Sequence, residues 1–371
     1  MTIPVPLEGF YAIVPAGGAG TRLWPLSRAA RPKFLLDLDG SGRTLIQHTW
    51  DRLAPLSGIE NVLVVTGRSH SSAVAEQLPQ LASSNLLAEP SPRDSAAAIC
   101  LAAAVVAYRD PQAVVGSFAA DQVVRKDDAF QDAVAQAVAT ACAGYIVTLG
   151  IEPTSPSTAF GYIRTGDALG VAGAPSARLV ERFVEKPDAV TAARYLAEGR
   201  YRWNAGMFIA RADVLLEQLR QSRPKLHDGI TRIAAAWDTP ERDQVLDETW
   251  PTLEKVAIDY AVAEPAAENG HVAVVPADLG WDDVGDFASL AELLGGTATA
   301  IKVLGDGAEV VSVDSEGIAV ASSGRLVAVL GLDDVVVVDT PDALLVTTRE
   351  RAQDVKAVVD HLRATSREHL L

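Results

Sequence analysis

An α/β fold with a mostly parallel sheet, followed by a small all-β region, is predicted by three features of this 371-residue sequence. Strand-like and helix-like segments alternate from residue 11 to about residue 150. A glycine-rich turn follows directly on the first of those strands. From about residue 300 the texture changes to short β-branched runs divided by turn residues. Composition agrees with a folded chain: 49% of residues are hydrophobic and 22% charged, which excludes disorder and allows a substantial core. The net charge of −16 argues against a nucleic-acid-binding surface, which would need a basic patch or stripe. An acidic protein that binds a polyanion needs locally placed cations or a metal, so each Arg or Lys inside a motif carries information.

Taken in order, the predicted strands are Tyr11–Pro15, Val62–Thr66, Leu86–Ala88, Ala113–Phe118 and Tyr145–Leu149. Thr44–Leu53, Ser71–Leu78, Ser95–Tyr108 and Asp128–Ala141 read as the helices between them, and Thr44 with Gln47 matches a capping box. Such alternation implies βαβ units. The middle third continues as α/β with longer insertions. Beyond it, Ile301–Leu304, Glu309–Val313, Gly317–Ala321, Arg325–Leu330, Val335–Asp339 and Ala343–Thr347 read as strands. Turns such as Gly305-Asp306-Gly307 and Ser322-Ser323-Gly324 separate them. A helix near Arg349–Arg363, with Ala352, Val355, Val359 and Leu362 on one stripe, closes the chain. The expected division is into residues 1–295 and 296–371. Cys100 and Cys142 lie in alanine-rich helical stretches and read as small core residues in a reducing compartment. Met1–Pro6 lacks the basic and apolar segments of a signal peptide, and the apolar run Ala96–Tyr108 is too short to span a bilayer. A cytoplasmic protein without membrane or nucleic-acid partners is therefore expected.

The residues suited to chemistry cluster in motifs. Ala16-Gly17-Gly18-Ala19-Gly20-Thr21-Arg22 leaves a backbone with little Cβ bulk, whose N–H groups suit phosphate oxygens. Arg22 and Lys33 add cations. Neither the six-residue dinucleotide spacing nor a Walker ending is present, and a simple connecting turn is the alternative. Asp121 follows strand Ala113–Phe118, beyond a strand's carboxyl end where ligands bind in such sheets; a capping or turn role is the alternative. In Gly280-Trp281-Asp282-Asp283-Val284-Gly285-Asp286, three carboxylates compete for one assignment. Glu185-Lys186-Pro187 ends another strand, and Pro187 is expected to confine Lys186 to extended backbone, positioning its side chain. An ordinary surface ion pair there would be worth little. Glu89 leads a loop into a helix capped by Asp94 or Ser95. Asn204 is a pocket residue or a turn residue before Gly206. The six histidines show no metal-ligand spacing, and no nucleophile motif suggests covalent catalysis.

The run from Gly17 to Arg28, with Lys33 downstream, closely resembles the signature of sugar-1-phosphate nucleotidyltransferases. Its ending, Trp24-Pro25-Leu26-Ser27-Arg28, looks most like the mannose-1-phosphate guanylyltransferases. Further motifs follow in the expected order over nearly the whole chain. The resemblance implies a Rossmann-like nucleotidyltransferase domain with a left-handed β-helix-like C-terminal module that helps form a homodimer. It implies transfer of GMP from GTP to mannose 1-phosphate, with pyrophosphate released. By the same resemblance, Ala16, Gly17, Gly18, Gly20, Thr21 and Arg22 bind the nucleotide, with Glu89 and Ser95 along its base side. Lys33 holds the reacting phosphate. Asp121 and Asp283 bind Mg²⁺, the register of W-x-D-V-G selecting Asp283. Lys186 contacts the sugar phosphate, and Glu185, Asn204 and the backbone at Gly161 complete the sugar pocket. The chain departs from the family's P-A-D-H by Ala119 and Gln122, and from its Asn-Thr by Asp94-Ser95. Two other readings remain open: a transferase for another sugar or base, and a silent homologue that regulates a partner. The intact set Arg22, Lys33, Asp121, Lys186 and Asp283 speaks against the second.

Overall fold

A computed structural model describes residues 6–18, 20–295, 300–305 and 309–371. Ala19 of the glycine turn, most of the predicted turn at Gly305-Asp306-Gly307 and the start of the expected second domain lie outside the described residues. The chain forms two compact units. One runs up to Gly17 and continues through Thr49–Ala120 and Val124–Trp281; the other comprises Gly18–His48, Asp121–Val123 and Asp282–Leu371.

The first unit is built on strands β1 (Phe10–Ala16), β2 (Val62–Gly67), β3 (Leu86–Glu89), β4 (Val114–Ser117), β5 (Ile146–Ile151), β6 (Tyr162–Ala168), β7 (Arg178–Val184), β8 (Tyr201–Arg211) and β9 (Val272–Pro276). They form one sheet in the order β3-β2-β1-β4-β8-β5-β9-β7-β6. Strands β1 to β4 pair in parallel, as the strand–helix alternation predicts. The rest of the sheet is mixed: β8 runs antiparallel to β4, β5 and β6, while β5 and β9 are parallel. Alternation locates strands but does not set the direction of one that is inserted between earlier neighbours. Helix Asp94–Arg109 buries every residue from Ala96 to Val106. It is apolar all round because it is covered on both sides. Ile13, Leu63 and Val115 belong to its core on the sheet side, and Leu215, Leu219, Ile230 and Ile233 on the helical side. Cys100 is buried in that helix as expected, but Cys142, the last residue of helix Asp127–Cys142, is exposed. Alanine-rich surroundings indicate a helix and not the side of it that faces inward, which is why the core expectation fails for Cys142.

In the second unit, β10 (Ile301–Leu304), β12 (Gly317–Ala321) and β14 (Val335–Asp339) stack in parallel, with β15 (Leu344–Thr348) antiparallel on β14. β11 (Val310–Val313) and β13 (Val327–Leu330) form a second parallel pair. Alternate strands thus fall into two stacks, the pattern of a coiling β-helix. Ile318, Val320, Val336 and Val338 point inward, and the predicted stripe Ala352, Val355, Val359 and Leu362 packs with them. Leu23 and Trp24, just after the glycine turn, share this core with Val284 and Phe287. The outer face leaves Val311, Val313, Leu330, Leu344 and Val346 exposed.

At Gly317 the backbone has φ 141°, and an added Cβ would stand 1.9 Å from the Val335 carbonyl oxygen. Gly317→Ala should therefore destabilise the β stack by about 1–3 kcal/mol from the backbone alone, with the clash adding to it. Thermal unfolding of the variant checks this, and a midpoint within a degree of the parent would show that the stack yields locally.

Candidate active site

In the second unit, the glycine turn tightens at Gly20, which adopts φ 60° ahead of the 3-10 turn Thr21–Leu23. A Cβ there would meet the Lys33 Cβ at 2.8 Å, so only glycine lets the turn lie this close to Lys33. The Ser27 hydroxyl donates to the Gly20 carbonyl at 2.5 Å and pins the turn. Ala16 closes β1, and Gly17 is the last residue of that stretch of the first unit.

Lys33 is only 4% exposed. Its Nζ lies 2.8 Å from Asp121 Oδ2 and donates to the Asp283 carbonyl at 2.5 Å. Burial opposes its charge, but Asp121 and Asp283 outweigh burial and hold its pKa above the ordinary lysine value. Asp283 shows the complement: burial first, and Asp121 next to it, push its carboxyl up to about 6 against the pull of Lys33 and Arg22. The two rival carboxylates are occupied otherwise. Asp282 Oδ1 accepts from Val284 N at 2.7 Å. Asp286 Oδ1 caps helix Phe287–Leu293 by accepting from Ala288 N and Ser289 N. Between them Val284 has φ 44°, a left-handed conformation unusual for a β-branched residue. The structure thus brings Arg22, Lys33, Asp121 and Asp283 together.

A second constellation stands in the first unit. Gly161 abuts Glu185 so closely that a Cβ would come within 2.5 Å of Glu185 Oε2. Asn204 N donates to the Gly161 carbonyl at 2.8 Å. Asn204 Oδ1 accepts from the Thr148 hydroxyl at 2.7 Å and from Gly206 N at 3.1 Å. Its Nδ2 donates to Asp259 Oδ1 at 2.9 Å, which leaves one amide hydrogen beyond these bonds. The register of β5 on β8 shifts between Thr148 and Gly150, and such a bulge re-aims side chains. Lys186 Nζ pairs with Glu185 Oε1 at 2.9 Å, with the glutamate side chain 8% and the lysine 60% exposed. The expectation of extended backbone at Lys186 is overturned, because its φ is 47°. The proline rule disfavours the right-handed helical region, and the chain here takes the left-handed one, a strain that marks functional sites.

Sequence reasoning missed Asp259 and Glu264. Asp259 opens the π-helical turn Asp259–Ala263, a feature enriched at functional sites. Burial, then the charge of Glu185, push its carboxyl up to about 7. Glu264 Oε1 accepts from Glu185 N at 3.2 Å, and its pKa is raised by burial. A run such as Asp-Tyr-Ala-Val-Ala reads as an ordinary helix, so nothing in it signals a site. Phe160 lies between Trp203 and Trp281, with ring centroids 5.0 and 5.2 Å away. Both indole N–H groups are buried without a partner among the described residues.

Elsewhere in the first unit, Glu89 ends β3 with Oε1 buried and unpartnered among the described residues, and burial pushes its carboxyl up to about 7. Neither Asp94 nor Ser95 caps the helix as predicted. Asp94, with φ 66°, already begins it, and the Ser95 hydroxyl accepts from Ile258 N at 2.9 Å. Among the described residues, no cluster of three potential metal-ligating side chains forms.

An α/β sheet with a glycine turn, a buried lysine between aspartates and an appended β-helix defines a class, the nucleotidyltransferases. The chain belongs to the nucleotidyl transferase family, whose model matches residues 11–299. Residues 308–362 match a mannose-phosphate isomerase/GMP-like β-helix domain. It is 40% identical to the xanthan biosynthesis protein XanB of Xanthomonas campestris, over 96% of this chain and 73% of that protein. It is also 40% identical to a mannose-1-phosphate guanylyltransferase of Escherichia coli, over 97% of this chain and 75% of that one. A crystal structure from Thermus thermophilus, described as a mannose-1-phosphate geranyltransferase, superposes with a TM-score of 0.85. It is 34% identical and covers 96% of this chain and 100% of its own.

The raised Asp259 carboxyl has a consequence for stability. Folded, it keeps until about pH 7 a proton that the unfolded chain releases near 3.8. Its contribution to stability is therefore full below about pH 4 and is lost as the pH rises toward 7. Asp259→Asn keeps an acceptor for Asn204 and removes the titration. The fall in thermal midpoint between about pH 5 and pH 7 should be shallower in that variant. An identical pH slope in parent and variant would mean that Asp259 titrates as an ordinary aspartate.

Proposed function

We propose that this chain is an enzyme that transfers GMP from GTP to mannose 1-phosphate, giving GDP-mannose and pyrophosphate. The observation that carries the reading is the buried Lys33 bonded to both aspartate segments, with Arg22 of the phosphate turn beside it. The names borne by relatives that align along nearly the whole chain support the choice of substrates. Mannose 1-phosphate is already an anionic nucleophile, so the reaction needs no general base. Its barrier comes from bringing two anions together and from charge building at the α-phosphorus. Positioning and preorganised charge are what an enzyme can supply.

Each residue then has a task. Arg22 and the N–H groups of Gly18, Gly20 and Thr21 hold the departing pyrophosphate, and Lys33 neutralises the reacting phosphate. Lys186 binds the phosphate of the incoming sugar. Glu185 and the remaining amide hydrogen of Asn204 take sugar hydroxyls, and Asp259 fixes the amide that does so. Gly161 leaves the space. Glu89 offers a buried carboxylate oxygen to the donors on guanine's base edge, with Ser95 nearby in sequence. Asp121 and Asp283 suit a divalent metal, for which we propose Mg²⁺. Burial and the neighbouring Asp121 hold Asp283 near 6, and two carboxylates with phosphate oxygens and waters are a usual Mg²⁺ donor set. Bound there, such an ion supplies charge neutralisation at the transferring phosphorus. Self-association into a homodimer is supported by the exposed valines and leucines of the β stack. We assign the enzyme to the cytoplasm, where GTP is supplied. Among the described residues no helix is long and apolar enough to cross a membrane.

A pyrophosphate-release assay over four nucleoside triphosphates and several sugar 1-phosphates tests the reading, with GTP and mannose 1-phosphate expected as the preferred pair. In that assay Lys186→Ala should raise the KM for mannose 1-phosphate roughly tenfold to a hundredfold and leave that for GTP nearly unchanged, since one charge-assisted contact is lost. Equal shifts in both constants would remove Lys186 from the sugar phosphate.

Asp121→Asn and Asp283→Asn should each nearly abolish turnover and weaken Mg²⁺ binding measured by calorimetry with the substrates present. The double variant should be little worse than either, because the pair acts as a unit. Mild losses that multiply would instead describe two independent structural aspartates.

A further inference from the structure

Gln353 belongs by sequence to the C-terminal β region, in the 3-10 turn Ala352–Asp354 between β15 and helix Val355–Ala364. Its carboxamide makes two contacts within the second unit. Arg22 Nη1 donates to Gln353 Oε1 at 2.7 Å, and Gln353 Nε2 donates to Asp286 Oδ2. Asp286 is 6% exposed and anchored, since its other oxygen caps helix Phe287–Leu293. A guanidinium can only donate and a carboxylate can only accept, so a neutral amide between them has one orientation. The segment that follows Arg22 is tied to the C-terminal part of the chain by further bonds. Trp24 Nε1 and Arg28 Nη1 both donate to the Leu370 carbonyl, and Arg28 Nη2 pairs with Asp342 at 2.7 Å. Ala352 and Val355, on either side of Gln353, share a core with Leu23 and Trp24, which directly follow Arg22. Gly285 completes the setting: a Cβ there would stand 3.1 Å from Arg22 Nη2.

We propose that Gln353 is a positioning residue for Arg22, through which the C-terminal β region sets the phosphate turn for GTP. The inference rests on the reading of Arg22 as a phosphate ligand. An arginine side chain surrenders rotamer freedom when it grips phosphate. Holding one edge of its guanidinium beforehand removes part of that cost, and the remaining N–H groups stay available for phosphate oxygens. The β region is on this account a working part of the nucleotide site as well as a surface for self-association.

Calorimetric titration with GTP tests the idea. Gln353→Ala should weaken GTP binding about three- to tenfold, the range of one ordinary hydrogen bond, since Gln353 orders Arg22 and does not itself touch the nucleotide. Mannose 1-phosphate binding and the thermal midpoint should be unchanged. In an Arg22→Lys background, which lacks the fork, the same substitution should have no further effect on GTP. An equal loss in both backgrounds would overturn the proposal, and so would tighter GTP binding, which would make Gln353 a competitor for Arg22. Should Gln353→Ala lower the thermal midpoint, Gln353→Met keeps the length of the side chain and allows the same comparison. Parent protein that fails to bind GTP would defeat the functional reading itself, whereas parent binding indifferent to Gln353 defeats only this inference.

Discussion

The buried ammonium of Lys33 is the contact on which the second unit depends. A lysine so enclosed is unfavourable unless its charge is matched and its donors are used. Asp121 supplies the charge and the Asp283 carbonyl a second acceptor, so one side chain joins segments far apart in the sequence. The junction is reinforced by the bridge between Val123 and Asp282, each donating its N–H to the other's carbonyl at 2.9 and 3.0 Å. Val284, which follows Asp283, has left-handed backbone, and its N–H is held by the Asp282 carboxylate. The ion pair also explains why an acidic protein can keep a buried cation here: its local field is set by neighbours a few ångströms away and not by its net charge.

Much of the architecture was legible because it rests on local signals. β2, β10, β12 and β14 begin where their apolar β-branched runs do, and the glycine turn follows β1 as its composition demands. Gln47 Oε1 accepts from Thr44 N at 3.1 Å, one half of the predicted capping box. What stayed hidden depends on the fold. The direction of β8 is decided by the strands it enters between. The grouping of residues 18–48 with the C-terminal segment depends on contacts such as Leu23 and Trp24 with Val355 and Val359, which no local pattern announces.

The candidate site divides in the same way. Spacing in motifs singled out Lys33, Asp121, Glu185, Lys186 and Asn204, because glycine, proline and charge in fixed order leave a mark on sequence. Asp259 left none. What marks it is its place beside Glu185 and its bond to Asn204, facts of three-dimensional placement alone. Asp283 was separable from Asp282 and Asp286 by motif register, and the structure supplies the physical basis for that separation. The two neighbours are engaged in a turn and a helix cap, while Asp283 interacts with Lys33 and Arg22.

The two cysteines differ in a way that has practical use. Cys100 is fully enclosed, and burial pushes its thiol up to about 12, so it offers no thiolate to a reagent at neutral pH. Cys142 is exposed at the end of its helix. Maleimide or iodoacetamide reagents will therefore modify the native protein at one defined position. A fluorophore or spin label can be attached there without altering a single codon, giving a spectroscopic reporter on the first unit.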